Sequence, residues 1–321
     1  MDSKYRSTIK RSVIATACTV TMKEHCGKIL VLGGSGFVGR NLVHHLRSSG
    51  HQSVYAPSRR ELDVTDFSLV EDMIHNMRIE VVVNCAASTG IRSIETAADA
   101  TEKLNIEVPT RWAEICERNQ IRFIHLSTDQ VFDGNKKSPY CEADEPAAVS
   151  RYGHTKMLGE KAVRNYVRHA IVRTSFVFGR GGNTFMSRIP LLLNSTEPLR
   201  VVTDIKASCT SITTLCRCLS WVISSDAKGV FHVANNGETT WALFAEQCAE
   251  DMLRLGYEVR CPPIIKTDYE KVKAALGPRA LYSVLDTIKI EQACGYRLTG
   301  WREEIPAFVC ACLAAGQAIQ R

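Results

Sequence analysis

The sequence has no apolar run long enough to cross a membrane and little net charge of either sign. A membrane-spanning helix needs about 20 consecutive apolar residues, and the longest candidate, Ala307–Gln320, is shorter. Lys+Arg 40 against Asp+Glu 34 gives a net charge of +6, of which residues 1–28 contribute +4 and the remaining body only +2. So weak and scattered an excess lacks the basic face that nucleic-acid binding needs. The sequence therefore excludes a membrane-spanning protein. It indicates a cytoplasmic protein whose partners are small molecules, and not nucleic acid or a membrane.

Motifs of metal sites and of hydrolases are also missing. The 13 cysteines include the pairs Cys216/Cys218 and Cys310/Cys312 but no Cys-x-x-Cys, and no histidines cluster at metal-ligand spacing. An odd number of cysteines spread along the chain is typical of buried thiols in a reducing compartment, so we expect no metal. The sequence contains no Gly-x-Ser-x-Gly elbow and no phosphate loop ending in Gly-Lys-Ser/Thr, which argues against a hydrolase.

What the sequence does contain, from Lys28 onward, is a regular alternation of apolar strands and amphipathic helices. Ile29–Leu32 is a short apolar run that ends in glycines, typical of a buried parallel strand. Residues 37–48 follow with apolar side chains at helical spacing, and Gly50 is placed to end that helix. Further strands are expected near 53–55, 81–84, 123–126 and 170–175, and further helices near 67–77 and 98–119. This alternation predicts an α/β fold with a doubly wound parallel sheet.

A glycine-rich turn joins the first strand to the first helix. Gly33 permits the tight turn, Gly36 lets the backbone approach a pyrophosphate, and Gly39 lets the helix pack closely on the sheet. The amide hydrogens and partial positive charge of the helix N-terminus then face the phosphates. The turn predicts a dinucleotide-binding site formed by Gly33, Ser35, Gly36, Phe37, Val38 and Gly39.

The second strand indicates which dinucleotide binds. No acidic residue stands at its tip to hold a free 2′-hydroxyl, and Ser58, Arg59 and Arg60 follow instead. Two guanidinium groups there favour a 2′-phosphate, although adjacent arginines on a loop can also be simply solvated. Asp63, followed by Val64, is placed to contact the adenine amine or to cap the next helix. NADP is therefore favoured, with NAD as the alternative.

A tyrosine and a lysine lie four residues apart on one predicted helix, in Tyr152-Gly153-His154-Thr155-Lys156. Positions i and i+4 share a helix face. A cationic lysine beside the phenol stabilises phenolate and lowers the pKa of the tyrosine. Tyr152 can then protonate an alkoxide as hydride reaches a carbonyl carbon, and Lys156 can hydrogen-bond the nicotinamide ribose. By itself this pair is common by chance.

The preceding strand supplies the polar groups that make the pair specific. Ser127, Thr128 and Asp129 close that strand at the carboxyl edge, where ligands of open α/β sheets bind. The Thr128 hydroxyl can hydrogen-bond a substrate carbonyl oxygen. Asn105, on the long helix, can hold a proton-relay water. His125 lies mid-strand and is interpreted as a packed core residue, and His154 as an exposed one.

These motifs together resemble the extended short-chain dehydrogenase/reductases, and more narrowly the dTDP-4-dehydrorhamnose reductase family. The resemblance is carried by Gly33–Gly39, Leu126–Gly134 and Tyr152–Glu160 and extends over nearly all of the chain from residue 28. Further matches are Arg173–Ser175, Gly229–His232, Gly237–Trp241, Ser283–Thr287 and Gly300–Glu303.

The resemblance implies a Rossmann fold with a smaller C-terminal substrate lobe, and reduction by NAD(P)H of a 4-keto group on a nucleotide-linked deoxysugar. Tyr152 would be the general acid, Lys156 its electrostatic partner and Thr128 the carbonyl hydrogen-bond donor. Ala86 and Ala87 would pack along the cofactor. The resemblance also implies that Ser88 and Thr89 lie near the nicotinamide and sugar, and that a homodimer forms.

The expected organisation follows from these motifs. Residues 1–26 are interpreted as a poorly ordered extension, and residues 27–180 as the NADP-binding Rossmann domain, to which 213–236 return. Residues 181–212 and 237–321 are expected to form the substrate-binding lobe.

Four departures from the family pattern fall in the substrate half and leave a second function open. Phe176 occupies the position of a family tryptophan that faces the sugar, and Arg92 occupies a position that is acidic in the family. The segments Asp204–Thr210 and Arg279–Ser283 also lose family residues. The alternative is an NADP-binding regulatory subunit without turnover, like the β subunit of methionine adenosyltransferase, which resembles the same family.

Overall fold

A computed structural model describes residues 27–89, 94 and 98–317 of the chain. The extension predicted over residues 1–26 lies outside the described residues, as does Arg92.

Six parallel strands form the central sheet in the order β10-β5-β4-β3-β1-β2. Their bounds are β1 (Lys28–Leu32), β2 (Val54–Tyr55), β3 (Ile79–Asn84), β4 (Arg122–Thr128), β5 (His169–Thr174) and β10 (Gly229–Val233). The chain order reverses between β1 and β3, which pair in register from Ile29↔Val81 to Leu32↔Asn84. Ligands of doubly wound sheets bind at such a reversal, so the predicted α/β fold is confirmed and its binding crevice is located.

Helices cover both faces of the sheet because each presents one apolar stripe to it. Those of the first half are α1 (Phe37–Ser48), α2 (Phe67–Met77), α3 (Ala98–Glu102), a π-helical turn (Lys103–Glu107), α4 (Val108–Arg118), a 3₁₀ turn (Asp129–Val131) and α5 (Arg151–Val163). On one face Trp112 and Ile115 of α4 pack on β3 and β4, and on the other Leu42 and Leu46 of α1 pack beside α7 (Ile212–Ser224).

The second half of the chain builds a lobe with its own aromatic core. Its helices are α6 (Phe185–Leu193), α8 (Trp241–Arg254), α9 (Tyr269–Leu276), α10 (Ile288–Cys294) and α11 (Trp301–Gln317). Three pairs of short strands complete it: β6 (Val177–Phe178) with β9 (Thr210–Ser211), β7 (Arg200–Val202) with β11 (Ile265–Thr267), and β8 (Lys206–Ala207) with β12 (Tyr282–Ser283). Within this core the ring of Phe178 packs edge to face against the rings of Phe244 and Phe308.

The lobe and the sheet domain share residues rather than dividing cleanly. Strand β10 and helix α7 belong to the sheet and its packing, although lobe elements precede and follow them. Ile290 of α10 and Leu298 also pack in the core beneath the sheet. Trp241 and Arg279 of the lobe line one cavity with Ser127 and Thr128 at the end of β4, so the lobe borders the carboxyl edge of the sheet.

Two general features of the described residues bear on function. No described helix is both long and apolar enough to span a membrane. Over the same residues there is no group of three or more His, Cys, Asp or Glu side chains that could hold a metal ion, and the eleven cysteines described there are all free thiols.

Candidate active site

The glycine-rich turn after β1 has the conformation that its glycines predict. Gly33 has φ +71°, in the left-handed region that glycine enters without strain. A Cβ at this position would lie 2.8 Å from the backbone nitrogen of Ala86 in the loop after β3. A Cβ at Gly39 would lie 2.3 Å from the carbonyl oxygen of Gly33. Side chains at either position would push α1 away from the strand ends, so the glycines keep the crevice narrow at the turn.

The N-terminus of α1 is suited to an anion. Its N-cap is Gly36, which has no side chain to satisfy the first amide groups, and no acidic residue stands in its first turn. The uncapped N–H groups and the helix dipole together favour phosphate. A dinucleotide pyrophosphate therefore fits the residues that the structure places here.

In the loop after β2, Ser58 makes a contact that the predicted cofactor site did not include. Arg59 and Arg60 are exposed, and no carboxylate of the described chain lies within ion-pair distance of either. The Glu61 carboxylate, however, accepts a hydrogen bond of 2.7 Å from the Ser58 amide. Asp63 accepts hydrogen bonds from the amide and hydroxyl of Thr65, so its carboxylate caps a turn in this structure. A cofactor phosphate at this loop would compete with Glu61 for Ser58.

A cavity of about 800 Å³ opens from the glycine turn along the carboxyl edge of the sheet. The predicted site residues that line it are Gly36, Phe37, Val38, Ala87, Thr89, Ser127, Thr128, Asp129, Tyr152, Lys156 and Phe176. The predicted residues outside its lining are Gly33, Ser35, Gly39, Ser58, Arg59, Arg60, Asp63, Val64, Ala86, Ser88 and Asn105. Thr128, Tyr152 and Lys156 are thus brought together around one cavity, whereas Asn105, also assigned to the chemistry, and the residues assigned to the adenosine side lie outside its lining.

Helix α5 places Tyr152 beside the end of β4. Ser150 caps the helix by accepting a hydrogen bond from the Gly153 amide. A Cβ at Gly153 would lie 1.9 Å from the carbonyl oxygen of Gln130, so only glycine lets the helix begin this close to the strand end. Tyr152 and Thr128 line the same cavity, and the nearby Thr128 hydroxyl acts to lower the pKa of the phenol. The hydroxyl and the phenol therefore lie where one carbonyl oxygen can contact both.

The pKa of Tyr152 differs from the expectation. Burial raises it above the ordinary value of a phenol and the nearby Asp129 raises it further, whereas the Thr128 hydroxyl acts in the opposite direction. The expected lowering by a neighbouring lysine is not found, because Lys156 is directed elsewhere. The phenol is protonated at neutral pH, but its raised pKa makes it a weaker acid than an ordinary tyrosine.

Asp129 is the buried carboxylate of the cavity. It accepts hydrogen bonds from the hydroxyls of Thr128, Ser175 and Ser283, at 3.1, 2.8 and 2.6 Å. Burial raises its pKa, while these hydrogen bonds and the positive charge of Arg279 lower it. Asp129 thereby ties the end of β4 to two segments of the lobe.

Lys156 is almost fully buried at the foot of the cavity. Its Nζ donates to the carbonyl oxygen of Leu126 at 2.8 Å and lies 3.0 Å from Nε2 of His125. Burial lowers its pKa to about 8, and the negative charge of Glu160 acts in the opposite direction. The side chain of His125 is fully buried, which confirms the prediction that it is a core residue. Its imidazole also contacts the lysine.

Asn105 is held by three hydrogen bonds within the protein. Its Oδ1 accepts from the amide of Ser88 at 2.9 Å, and its amide nitrogen donates to the Ser88 carbonyl and the Thr155 hydroxyl, each at 3.0 Å. Both amide hydrogens are used within the protein, so the predicted relay water would have to donate to an oxygen of Asn105, and its assignment stays a prediction. Asn105 ties the loop after β3 to α5, from a π-helical turn, a deviation common at functional sites.

Lobe residues that the sequence analysis did not assign complete the cavity wall. Trp241 packs against Phe185 with ring centroids 4.8 Å apart, and the guanidinium of Arg279 lies 5.7 Å from the Trp241 ring. Phe176 also faces Trp241, from a backbone at φ +36°, which is rare for an aromatic residue. Trp241 Nε1 and the hydroxyl of Ser127 are buried without a hydrogen-bond partner among the residues that the structure describes. Two polar atoms beside the cavity are thus left for a ligand.

A doubly wound sheet with a glycine-rich turn, and a tyrosine and lysine on one helix against a strand-end hydroxyl, define the extended short-chain dehydrogenase/reductases. This chain is an NAD(P)-dependent oxidoreductase of that class. More particularly, it belongs to the family described as the RmlD substrate binding domain, which matches residues 27–313.

Three similar proteins illustrate the family. The chain is 31% identical over 299 residues to the dTDP-4-dehydrorhamnose reductase of Sinorhizobium fredii, covering 90% of this chain and 99% of that one. It is 36% identical over 214 residues to a dTDP-4-keto-6-deoxy-D-glucose reductase of Streptomyces niveus, covering 66% of this chain and 74% of that one. The crystal structure of dTDP-4-dehydrorhamnose reductase from Bacillus anthracis, in complex with NADP, superposes with a TM-score of 0.80 at 26% identity over 88% of this chain and 98% of that one. The predicted family resemblance is confirmed.

Proposed function

We propose that this protein uses NADPH to reduce the 4-keto group of a dTDP-linked 6-deoxysugar. The observation that carries the proposal is the convergence of Thr128, Tyr152 and Lys156 on one cavity that begins at the glycine turn. The names of the Sinorhizobium fredii and Streptomyces niveus relatives, both reductases of dTDP-linked ketosugars, support the substrate class.

NADPH is the proposed cofactor, with NADH as a weaker substitute. The Bacillus anthracis relative is in complex with NADP. Arg59 and Arg60 have no carboxylate partner among the described residues, so both are available to a 2′-phosphate. Gly36 and the free amides of α1 would hold the pyrophosphate.

The chemistry assigned to each residue follows from its position. When bound, NADPH supplies the hydride that reaches the carbonyl carbon. The Thr128 hydroxyl, which donates to Asp129 in this structure, would turn to donate a hydrogen bond to the carbonyl oxygen, and Tyr152, which is protonated at neutral pH, would donate the proton to that oxygen. Lys156, which contacts Leu126 and His125 in this structure, would have to turn toward Tyr152 to stabilise the phenolate that remains; in its charged form it can also hold the nicotinamide ribose.

The lobe side of the cavity supports a nucleotide-sugar substrate. Trp241, Phe185 and Phe176 present aromatic faces, which suit a sugar ring or a planar base. Arg279 brings a positive charge to the same wall, which suits a diphosphate. Asp129, tied to Ser175 and Ser283, would keep this wall in place beside Tyr152.

A regulatory subunit without turnover is the less favoured function. The departure at Phe176 remains aromatic and still lines the cavity, so it does not by itself remove a substrate site. The complete set of Thr128, Tyr152 and Lys156 and the reductase names of the similar proteins favour an enzyme. We also propose a homodimer, on the family resemblance alone; light scattering of the purified protein would test it.

The test is NADPH oxidation by the purified protein against a panel of dTDP-4-dehydro-6-deoxyhexoses. Tyr152→Phe should lower kcat by roughly 10²- to 10⁴-fold, the range of a lost general acid. Its affinity for NADPH, measured by fluorescence titration, should stay within about twofold because the phenyl ring preserves the packing. Tight NADPH binding without reduction of any sugar in the panel would favour the regulatory function.

A further inference from the structure

His125 is a buried imidazole that the proposed reaction does not use. It lies on β4 with none of its side chain exposed. Its Nε2 is 3.0 Å from the Nζ of Lys156, and its Nδ1 is 3.2 Å from the side-chain nitrogen of Asn84 on β3. The imidazole therefore bridges a neighbouring strand to the lysine of the site.

The orientation of the Asn84 side chain is set by the backbone. Its Oδ1 accepts a hydrogen bond of 3.0 Å from the amide of Ala86. A backbone N–H can only donate, so the carbonyl end of Asn84 must face Ala86 and the NH₂ end must face His125. The NH₂ group in turn can only donate, which makes Nδ1 of His125 an acceptor without a hydrogen.

A neutral imidazole carries one hydrogen, and it must then be on Nε2. Burial keeps the pKa of His125 well below its ordinary value even without a charge on Lys156, so we take the imidazole as singly protonated at neutral pH. The Nε2 hydrogen is directed at the nitrogen of Lys156. An ammonium group has no lone pair to accept it, whereas a neutral amine does.

We propose that His125 is a positioning residue that donates its Nε2 hydrogen to the Lys156 amine, in a tautomer selected by Asn84. The contact of Lys156 with the Leu126 carbonyl is compatible with this arrangement, because a neutral amine retains two hydrogens to donate. The chain Asn84–His125–Lys156 thus stabilises the uncharged lysine.

The other groups that face Lys156 act on the same equilibrium. Glu160, one turn along α5, favours the charged lysine, but its carboxylate is also paired with Arg173 through hydrogen bonds of 2.7 to 3.1 Å. Cys85, after β3, acts in the same direction as Glu160. Burial opposes both and lowers the lysine pKa to about 8. His125 adds to burial, and therefore sets the pH above which Lys156 loses its charge.

The consequence for turnover rests on the proposed function. Charged Lys156 is the form that stabilises a Tyr152 phenolate, so the loss of activity at high pH should follow the lysine. Weakening the His125 donor should move that high-pH limb of kcat/KM upward. The titration itself is measured on the protein without cofactor or substrate, so its outcome is independent of whether a ketosugar is reduced.

The first experiment is a long-range ¹H–¹⁵N correlation spectrum of protein labelled at histidine, with the His125 signals assigned by His125→Phe. The proposal predicts a hydrogen on Nε2 in the unmodified protein. Asn84→Asp replaces the donor that faces Nδ1 with an acceptor of the same shape and should move the hydrogen to Nδ1. A hydrogen on Nδ1 in the unmodified protein would overturn the proposal.

The second experiment titrates Lys156 in protein labelled at lysine, with its resonance assigned by Lys156→Arg. His125→Phe removes a donor to the neutral amine, so the lysine midpoint should rise, by roughly one pH unit for a lost buried hydrogen bond. If Lys156 were instead an ammonium donating to Nε2, the same change would lower the midpoint, which refutes the proposal. His154→Phe, on the exposed face of the same helix, should leave the midpoint unchanged.

Discussion

Replacing Gly153 with alanine should separate Tyr152 from Thr128 without touching either side chain. The added Cβ would lie 1.9 Å from the carbonyl oxygen of Gln130 and 2.8 Å from its carbonyl carbon. Ordinary contact begins at 3.4 Å, so the start of α5 or the 3₁₀ turn must move by about 1.5 Å. Both neighbours are backbone atoms, which cannot rotate away as a side chain can.

The displacement acts on the residue next to the substitution. A misplacement of about 1 Å at a catalytic group can lower the rate by roughly 10²-fold, so Gly153→Ala should reduce kcat/KM by at least that factor. Overpacking should also destabilise the fold by about 1–3 kcal/mol. NADPH affinity should change far less, because the glycine turn and α1 are untouched.

The assay compares kcat/KM, NADPH affinity and the urea midpoint of Gly153→Ala with those of His154→Ala. His154 is the next residue on α5 and is exposed, so its variant controls for a change in helix composition. A folded Gly153→Ala protein with unaltered kcat/KM would refute the argument that close approach of α5 positions Tyr152.

Three further predictions concern the cofactor, the core and pH. Arg59→Ser combined with Arg60→Ser should weaken NADPH binding by about tenfold or more and leave NADH binding nearly unchanged, as measured by calorimetry; equal losses for both cofactors would contradict a 2′-phosphate contact. Glu160→Gln leaves the buried Arg173 without its carboxylate and should cost about 3–5 kcal/mol of unfolding free energy in urea, whereas the exposed Glu197→Gln should cost little; similar midpoints for the two variants would count against the buried pair. Burial, with Arg173 nearby, lowers the pKa of His232 to about 3. In the unfolded chain His232 therefore takes up a proton below its ordinary pKa of 6.5, whereas in the folded protein it does not. The stability that is present above pH 6.5 should fall by roughly 2 kcal/mol for this residue at pH 5. Urea unfolding above pH 6.5 and at pH 5 should show a smaller difference in unfolding free energy for His232→Gln than for the unmodified protein. An unchanged difference would refute the assignment of this pH dependence to His232.

The parts of the fold and site that could be predicted are those encoded by local patterns. The glycines at positions 33, 36 and 39 can be recognised within about 50 residues of sequence, and so can the alternation of strands and helices. These patterns specify the sheet and its crevice. Tyr152 and Lys156 could be paired because four residues on a helix always share a face. Thr128 could be added because a strand end in this class of sheet faces the ligand.

The parts that could not be predicted depend on segments that are distant in sequence. The sequence predicts that Asn105 holds a relay water. In the structure its amide donates to Ser88 and Thr155, which only the folded chain brings close to it. Trp241 and Arg279 reach the cavity through the packing of the lobe, for which no local pattern gives a direction.

The same limit explains the tyrosine pKa. Counting charges along the helix predicts a lowering by Lys156, whereas burial and Asp129, both consequences of tertiary packing, raise it. The contact that diverts Lys156 is with His125, 31 residues away in sequence.

The central claim is tested most directly by following the hydride. The protein is incubated with NADPH deuterated at the transferred position and with dTDP-4-dehydro-6-deoxyhexoses, and the sugar products are examined by mass spectrometry and NMR. The proposed function predicts one deuterium on the former carbonyl carbon, formed by the unmodified protein and reduced by roughly 10²-fold or more in Tyr152→Phe. Bound NADPH with no deuterium in any sugar, or equal incorporation by Tyr152→Phe, would contradict it.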